Sequence, residues 1–490
     1  MPTMVEIATK TVPQSAEVPV AAVVGFLVFV ELCSGILQFS VPSVTPLIGS
    51  TMHVSSGDLN WVSSLTLLVS GVSVPVLAKL GDKYGHRRMI RATMVVVAIG
   101  SILTAVADNF ALLLVGRALT GVLGAWLPLE FAIVRDRVHG GKAGAAVGLL
   151  IGALTLGGTL GSLGIGLLSE KVTNVHALLW FPAVCILLCL PVVFLLIPES
   201  TTRSPERIDW PGAALLSAGL AAALLALARG PLWGWGSAPT LALSAAAAAA
   251  LLAFAVVELR VAEPLFDLRM MAGRPLATLY VLSFVLGFSF FGAQTANATF
   301  MATPSRLGFG FGYGTLGLAL MGLPVSVGAF VASTAADRLV AAWGARQVVI
   351  AGFAAVSVSF LSMVGLHEQP WQFATASAVT GIGVGLVLGS LPPLIMAGLP
   401  ADKTGIGTGL YSTLKALAGS ISGAIFAAVM NQHLLELPAP GPKLSDESGY
   451  YIVWAACAGM ALAGVAIALT VRARSRESAP ALPVPALAAG

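Results

Sequence analysis

The sequence predicts an all-α integral membrane protein with fourteen helical spans, and three observations predict it. Fourteen stretches of the chain are each about twenty residues long and almost free of charge, which is the length that crosses a hydrocarbon core roughly 30 Å thick at 1.5 Å per helical residue. Of the 490 residues, 57% are hydrophobic and 10% charged, against roughly 25% charged in a soluble domain. Lys and Arg gather on one alternating set of the loops between the stretches.

The spans read, in order, Val20 to Phe39, Leu59 to Ala78, Ala92 to Ala107, Ala111 to Val134, Ala143 to Leu168 and Ala177 to Ile197. The first is too long for a signal-peptide core and no small-residue cleavage site follows it, so it is expected to stay in the mature chain. Next come Pro211 to Ala228 and Thr240 to Val257, a pair of different character because Leu241 to Leu252 is nearly all Ala and Leu. They read as an insertion. The last six are Leu276 to Met301, Tyr313 to Ala335, Gln347 to Leu366, Gln372 to Ala397, Gly405 to Met430 and Tyr451 to Val471. This divides the chain into a tail (1–19), a six-helix bundle (20–197), a two-helix insertion (198–258), a linker (259–275), a second six-helix bundle (276–471) and a tail (472–490).

Twenty of the 26 Lys and Arg residues fall on one side if the N-terminus is cytoplasmic, among them Lys79, Lys83, Arg87, Arg88 and Arg91. Only Lys171, Arg229, Arg306 and Lys443 fall on the other, while Arg117 and Lys415 lie within spans. Both termini are therefore expected in the cytoplasm, with the protein in the cell membrane. The net charge of +4 follows from this bias and does not indicate a nucleic-acid partner. Cys33, Cys185, Cys189 and Cys457 all lie in spans without CxxC or Cys/His spacing, which argues against disulfides and metal. Ala-rich runs and an excess of Arg over Lys hint at a GC-rich bacterial genome.

A loop signature follows the second span of each bundle. It reads Leu80-Gly81-Asp82-Lys83-Tyr84-Gly85-His86-Arg87-Arg88 in the first, and Ala336-Asp337-Arg338 followed by Gly344-Ala345-Arg346 in the second. Duplicated halves with a site between them are a usual secondary-transporter architecture. The first loop resembles the Asp-Arg-x-Gly-Arg-Arg signature of the major facilitator superfamily, with Ala78 in place of its leading glycine. Gly116-Arg117-Ala118-Leu119-Thr120-Gly121 resembles that superfamily's second motif. Ile208-Asp209-Trp210-Pro211-Gly212, the Gly230 to Gly236 turn with Trp233 and Trp235, and Glu263-Pro264-Leu265-Phe266-Asp267-Leu268-Arg269 resemble its fourteen-span drug/proton antiporter branch. The resemblance runs from Val20 to Val471 and implies two six-helix bundles plus two central helices. It also implies a monomer that exchanges a small molecule for protons across lipid, conferring resistance without a cofactor.

Charges inside spans are costly, roughly 2.5 to 3.5 kcal/mol each at a helix centre, and mark candidate sites. Glu31 heads a stripe with Gly35, Gln38 and Pro42 at i+4, i+7 and i+11. Desolvation opposes its charge and a nearby cation favours it, which suits a group that takes up and releases a proton. In the family the first-span acid sits nine residues before the proline, where this chain has Cys33, so Glu31 does not inherit that role by position. Arg117 is expected at a depth similar to Glu31, to pair with it or compete with it through a water, with Gly121, Gly124 and Pro128 continuing its stripe; the resemblance makes it part of the proton relay, and the alternative is a structural clamp of the first bundle. Glu130 reads as either an interfacial ion pair with Arg135 or a third coupling group. Lys415 is too deep for easy snorkelling and reads as packing, gating or substrate contact.

Asp82, Lys83, Gly85, Arg87 and Arg88, with Asp337 and Arg338, read as a latch between the halves at helix ends. Gly157, Gly158 and Gly161 stand where the antiporter's Gly-Pro-x-x-Gly-Gly is expected, so close helix packing survives but the proline kink does not. Phe288, Phe290, Phe291, Gln294 and Asn297, with Gln38, are candidates for the substrate path. No nucleotide loop is present, and an ion gradient is the expected energy source. The expected function is proton-driven export of a small, drug-like compound. A solute uptake symporter is the rival on the same fold. A membrane enzyme is disfavoured because His53, His86, His139, His176, His367 and His433 are scattered over separate loops.

Overall fold

The computed structural model describes residues 20–137, 142–197, 209–261, 263–264, 273–399, 404–435 and 443–470. Among them are fourteen helices long and apolar enough to cross a membrane, and no strand beyond one isolated bridge between Leu434 and Ser445. Each sequence-read span coincides with one of them. The expected tails, residues 265–269 of the linker motif, Ile208 and the side chain of Arg135 lie outside the described residues.

The first bundle comprises Val20–Met52, Asn60–Tyr84, His86–Val106, a broken fourth span, Lys142–Ser169 and Val175–Leu195. The fourth span runs Phe110–Thr120, a 3₁₀ turn Gly121–Ala125 and Trp126–Arg137. Span one overruns its expected end at Phe39 by thirteen residues, with Pro42 and Pro46 inside the helix. Membrane helices tolerate such prolines because neighbouring helices cover the freed backbone groups. Trp210–Trp233 and Ala238–Arg260 pack on each other. Asp209 caps the first of them by accepting the Gly212 N–H at 2.9 Å, with Pro211 in the opening turn, which is the physical content of the Asp-Trp-Pro-Gly motif.

In the second bundle, span nine runs Arg274–Leu286, a π segment Gly287–Phe291 and Ala293–Ala302. It is followed by Thr315–Trp343, Ala345–Gly365, Pro370–Ala397, Thr404–Gln432 and Glu447–Thr470. Leu167, Leu195 and Leu252 are exposed on the outer surface, where lipid covers them. The halves meet where span two packs on span thirteen and span five on span ten.

Glycines set the closest approaches. A Cβ at Gly157 would lie 2.0 Å from the Leu32 carbonyl oxygen, one at Gly35 2.1 Å from that of Leu154, and one at Gly161 2.6 Å from Ile36 Cα. Spans one and five are thus in backbone contact along a seam that only glycine permits. Gly85 (φ 107°) and Gly344 (φ 89°) stand in equivalent places, each just before a helix, in a backbone region that L side chains rarely adopt.

Candidate transport site

Between the halves lies a cavity of about 1600 Å³. Its wall includes Gln38, Phe291, Gln294, Asn297 and Lys415 from the expected substrate path, and it reaches Asp82, His86 and Asp337 on the face that carries the basic loops. The opposite face is closed by bonds between the halves. Ser56 and Ser445 hydroxyls meet at 2.8 Å, Ser55 donates to Asn431 Oδ1 at 2.7 Å, and Asn431 Nδ2 donates to Asp58 at 2.8 Å. The Ser56 N–H donates to the Lys443 carbonyl at 2.9 Å and the Ser445 N–H to Ser56 Oγ at 2.7 Å.

Span nine aims its aromatics unevenly because of the π segment. Phe290 and Phe291 line the cavity and meet edge to face at 5.1 Å. Phe288, expected beside them, is buried instead, edge to face with Phe426 at 5.6 Å. The extra residue in a π turn rotates the helix face, and nothing in the hydrophobic pattern announces it. Asn297 accepts from the Trp454 indole at 2.8 Å, which fixes its amide.

Glu31 is buried, and its partner is not the expected one. Its carboxyl neighbours that of Glu130. Oε2 of Glu31 and both oxygens of Glu130 have no donor among the described residues, so a proton shared between the two acids is what would supply one. Ser34 lies beside Glu31 one turn along, and Gln38 Nε2 donates to Ser34 Oγ at 3.1 Å. Because Gln38 lines the cavity, these groups form a file from the cavity wall to the acid pair.

The expected Glu31 to Arg117 pair is absent among the described residues. Span one extends 21 residues beyond Glu31 to Met52, roughly 32 Å, whereas Arg117 is seven residues from Phe110, roughly 10 Å from the same face. Arg117 is buried elsewhere, its Nε donating to the Val62 carbonyl at 3.3 Å while Thr66 donates to its own carbonyl at 3.1 Å. It fastens span four to span two. Glu130 is fully buried; its alternative partner Arg135 has its side chain outside the described residues.

The loop signatures make contacts within each half. Asp82 pairs with His86 at 3.1 Å, and Lys83 lies 5.5 Å from the Tyr84 ring centroid. Arg87 donates to the Phe194 carbonyl at 3.2 Å and Arg91 to that of Val193 at 3.4 Å. Arg346 donates to the Leu469 carbonyl at 2.5 Å. Both halves therefore use an arginine at the start of their third helix to satisfy the carbonyl end of their sixth. Arg88, Asp337 and Arg338 are exposed or partly so on the open face.

Two pseudo-equivalent helical bundles around a cavity shut at one membrane face and open at the other define a membrane transporter. A family model described as Major Facilitator Superfamily matches residues 27–423, and the chain belongs to that family. It is 25% identical over 421 residues to the tetracenomycin C resistance and export protein of Streptomyces glaucescens, covering 82% of this chain and 76% of that one. It is 24% identical over 413 residues to the multidrug resistance protein Stp of Mycobacterium tuberculosis, covering 83% and 74%. The crystal structure of the human organic anion transporter MFSD10 superposes with a TM-score of 0.62 at 18% identity, over 92% of this chain and all of that one.

Proposed function

We propose that this protein exports a small, drug- or antibiotic-like compound from the cytoplasm in exchange for protons, and so confers resistance. The carrying observation is the Glu31–Glu130 pair, buried behind the cavity wall and joined to it through Ser34 and Gln38. With the basic loops and both termini cytoplasmic, the protein is in its inward-facing state, a bacterial cell-membrane monomer ready to load. The export names of its relatives support the direction.

Two neighbouring carboxylates in a dry core repel unless a proton lies between them. In the cycle, substrate enters the open cavity, the halves rock until the other face opens, and substrate leaves. Protons from outside reach the acid pair through Gln38 and Ser34 and favour return to the inward-facing state, where one is released. Substrate and proton thus exchange without meeting at one group. The proton gradient supplies the energy and no cofactor takes part.

Proton release on addition of compounds to energised inverted vesicles tests this by fluorescence dequenching, comparing wild type with Glu31→Gln. A response to some compounds in wild type alone supports the reading. An equal response in both removes Glu31 from the coupling path, and solute uptake with no export response turns the assignment to a symporter.

A further inference from the structure

The cavity wall carries several charged groups, and all but one are engaged or lie at the open mouth. Lys79 donates to the backbone carbonyls of Glu263 and Pro264, and His86 pairs with Asp82. Asp337 lies exposed at the mouth on the opposite wall. Lys415 sits deeper, on span thirteen, and its ammonium has no hydrogen bond and no carboxylate partner among the described residues. It touches only two rings, with the Phe291 centroid at 5.5 Å and the Tyr411 centroid at 5.1 Å. Glu31 and Glu130 are not on the cavity wall, so neither neutralises it.

A second observation points to a ligand at the same place. Tyr411 is buried and lines the cavity, and its hydroxyl has no hydrogen-bond partner among the described residues. Residues 411 and 415 are one helical turn apart and share a face. The position is also rigid. A Cβ at Gly287 would lie 2.1 Å from the Lys415 carbonyl oxygen, and one at Gly419 would lie 2.7 Å from Phe291 Cβ. The π segment is therefore in backbone contact with span thirteen at the lysine, and π segments recur at functional sites.

We propose that Lys415 and Tyr411, with Phe290 and Phe291 as an apolar wall, form a subsite for an anionic group carried on a flat aromatic substrate. The ammonium supplies the charge, the phenol a second donor, and the rings hold the ammonium in place while packing against the substrate plane. The proposal rests on the cavity being the substrate site of the exporter and narrows its substrates to aromatic anions such as carboxylates and phenolates.

The test uses three molecules of one shape, anthracene-9-carboxylate, anthracene-9-carboxamide and 9-(aminomethyl)anthracene in its ammonium form. Each is titrated against the purified full chain in nanodiscs with no gradient. The carboxylate is expected to bind roughly tenfold or more tighter than the amide, and Lys415→Met to erase that preference, weakening the carboxylate far more than the amide, whose binding persists. Lys415→Arg is expected to keep the preference, and Tyr411→Phe to weaken the carboxylate alone. Amide binding by Lys415→Met reports that the variant is folded. Equal binding of the three by wild type, tighter binding of the ammonium, or no binding of the carboxylate overturns the proposal, as does an equal loss for all three in Lys415→Met. Because binding needs no gradient, the two readings fail separately. Lys415-dependent carboxylate binding with no export in vesicles removes the exporter and keeps the subsite; Glu31-dependent export without carboxylate preference does the reverse.

Discussion

Asn431 holds the closed face shut through both ends of its amide, accepting from Ser55 at 2.7 Å and donating to Asp58 at 2.8 Å. Both bonds join the two halves and must break for that face to open. A net hydrogen bond contributes about 0.5–1.5 kcal/mol, so Asn431→Ala should destabilise the proposed inward-facing state relative to the outward-facing one by about 1–3 kcal/mol. At 1.4 kcal/mol per factor of ten, the outward-open population rises roughly 5- to 150-fold from a minor starting level. The reporter is Ser43→Cys, on the cavity wall towards the closed face, in a background where Cys33, Cys185, Cys189 and Cys457 are replaced. In intact cells its labelling by a membrane-impermeant maleimide, applied from outside, should accelerate by that factor. An unchanged or slower rate in a monodisperse Asn431→Ala protein would refute the gate and the assignment of the state.

Three further outcomes are expected. Glu130→Gln and Glu31→Gln should each abolish proton-coupled export while leaving equilibrium substrate binding intact, and the double variant should be no worse than either single one because the acids act as a unit; vesicle dequenching beside a binding titration reads both. Gly157→Ala sets a methyl group 2.0 Å from the Leu32 carbonyl oxygen and should cost about 1–3 kcal/mol through overpacking. Gly459→Ala, with nothing within 4 Å, should be near neutral, and thermal unfolding in detergent separates the two. Arg346→Ala removes the cap on the Leu469 carbonyl and should lower stability by about 0.3–1 kcal/mol, without the change in maleimide accessibility that a latch joining the halves would show.

The spans were legible because lipid forces every backbone group into a helix about twenty residues long, and length with hydropathy reports that directly. The end of span one was not: a twenty-residue apolar stretch closes at Phe39, whereas the helix continues to Met52 with Pro42 and Pro46 inside it. That single error displaced Glu31 by more than ten residues from the closed face and produced the false partner Arg117. The Gly157, Gly158 and Gly161 seam was visible as a spacing, although its partner helix was not. For Glu130 two readings stayed open. Proximity to Arg135 in sequence suggested an interface, while the 3₁₀ turn at Gly121–Ala125, which leads into the helix segment carrying Glu130, has no hydropathy signature.

Span one carries three things at once, and the arrangement bears on how coupling works. Its stripe holds Glu31, Ser34 and Gln38, its glycine seam at Gly35 binds it to span five, and its far end contacts the second half at span nine. The proposed proton groups lie wholly in the first half, whereas Lys415, unpaired among the described residues, lies in the second, on the helix that packs against span two. A substrate held at Lys415 therefore does not displace a proton from Glu31 by touching it. Coupling has to pass through the relative position of the halves, with the seam making span one move as one body with span five. On that logic, loosening the seam should uncouple proton flow from substrate flow before it abolishes either. Gly161→Ala, whose methyl would meet Ile36 Cα at 2.6 Å, is the variant in which to look for a compound-independent proton leak in vesicles. A variant that lost both fluxes in parallel, with no leak, would argue that proton and substrate compete directly within the cavity.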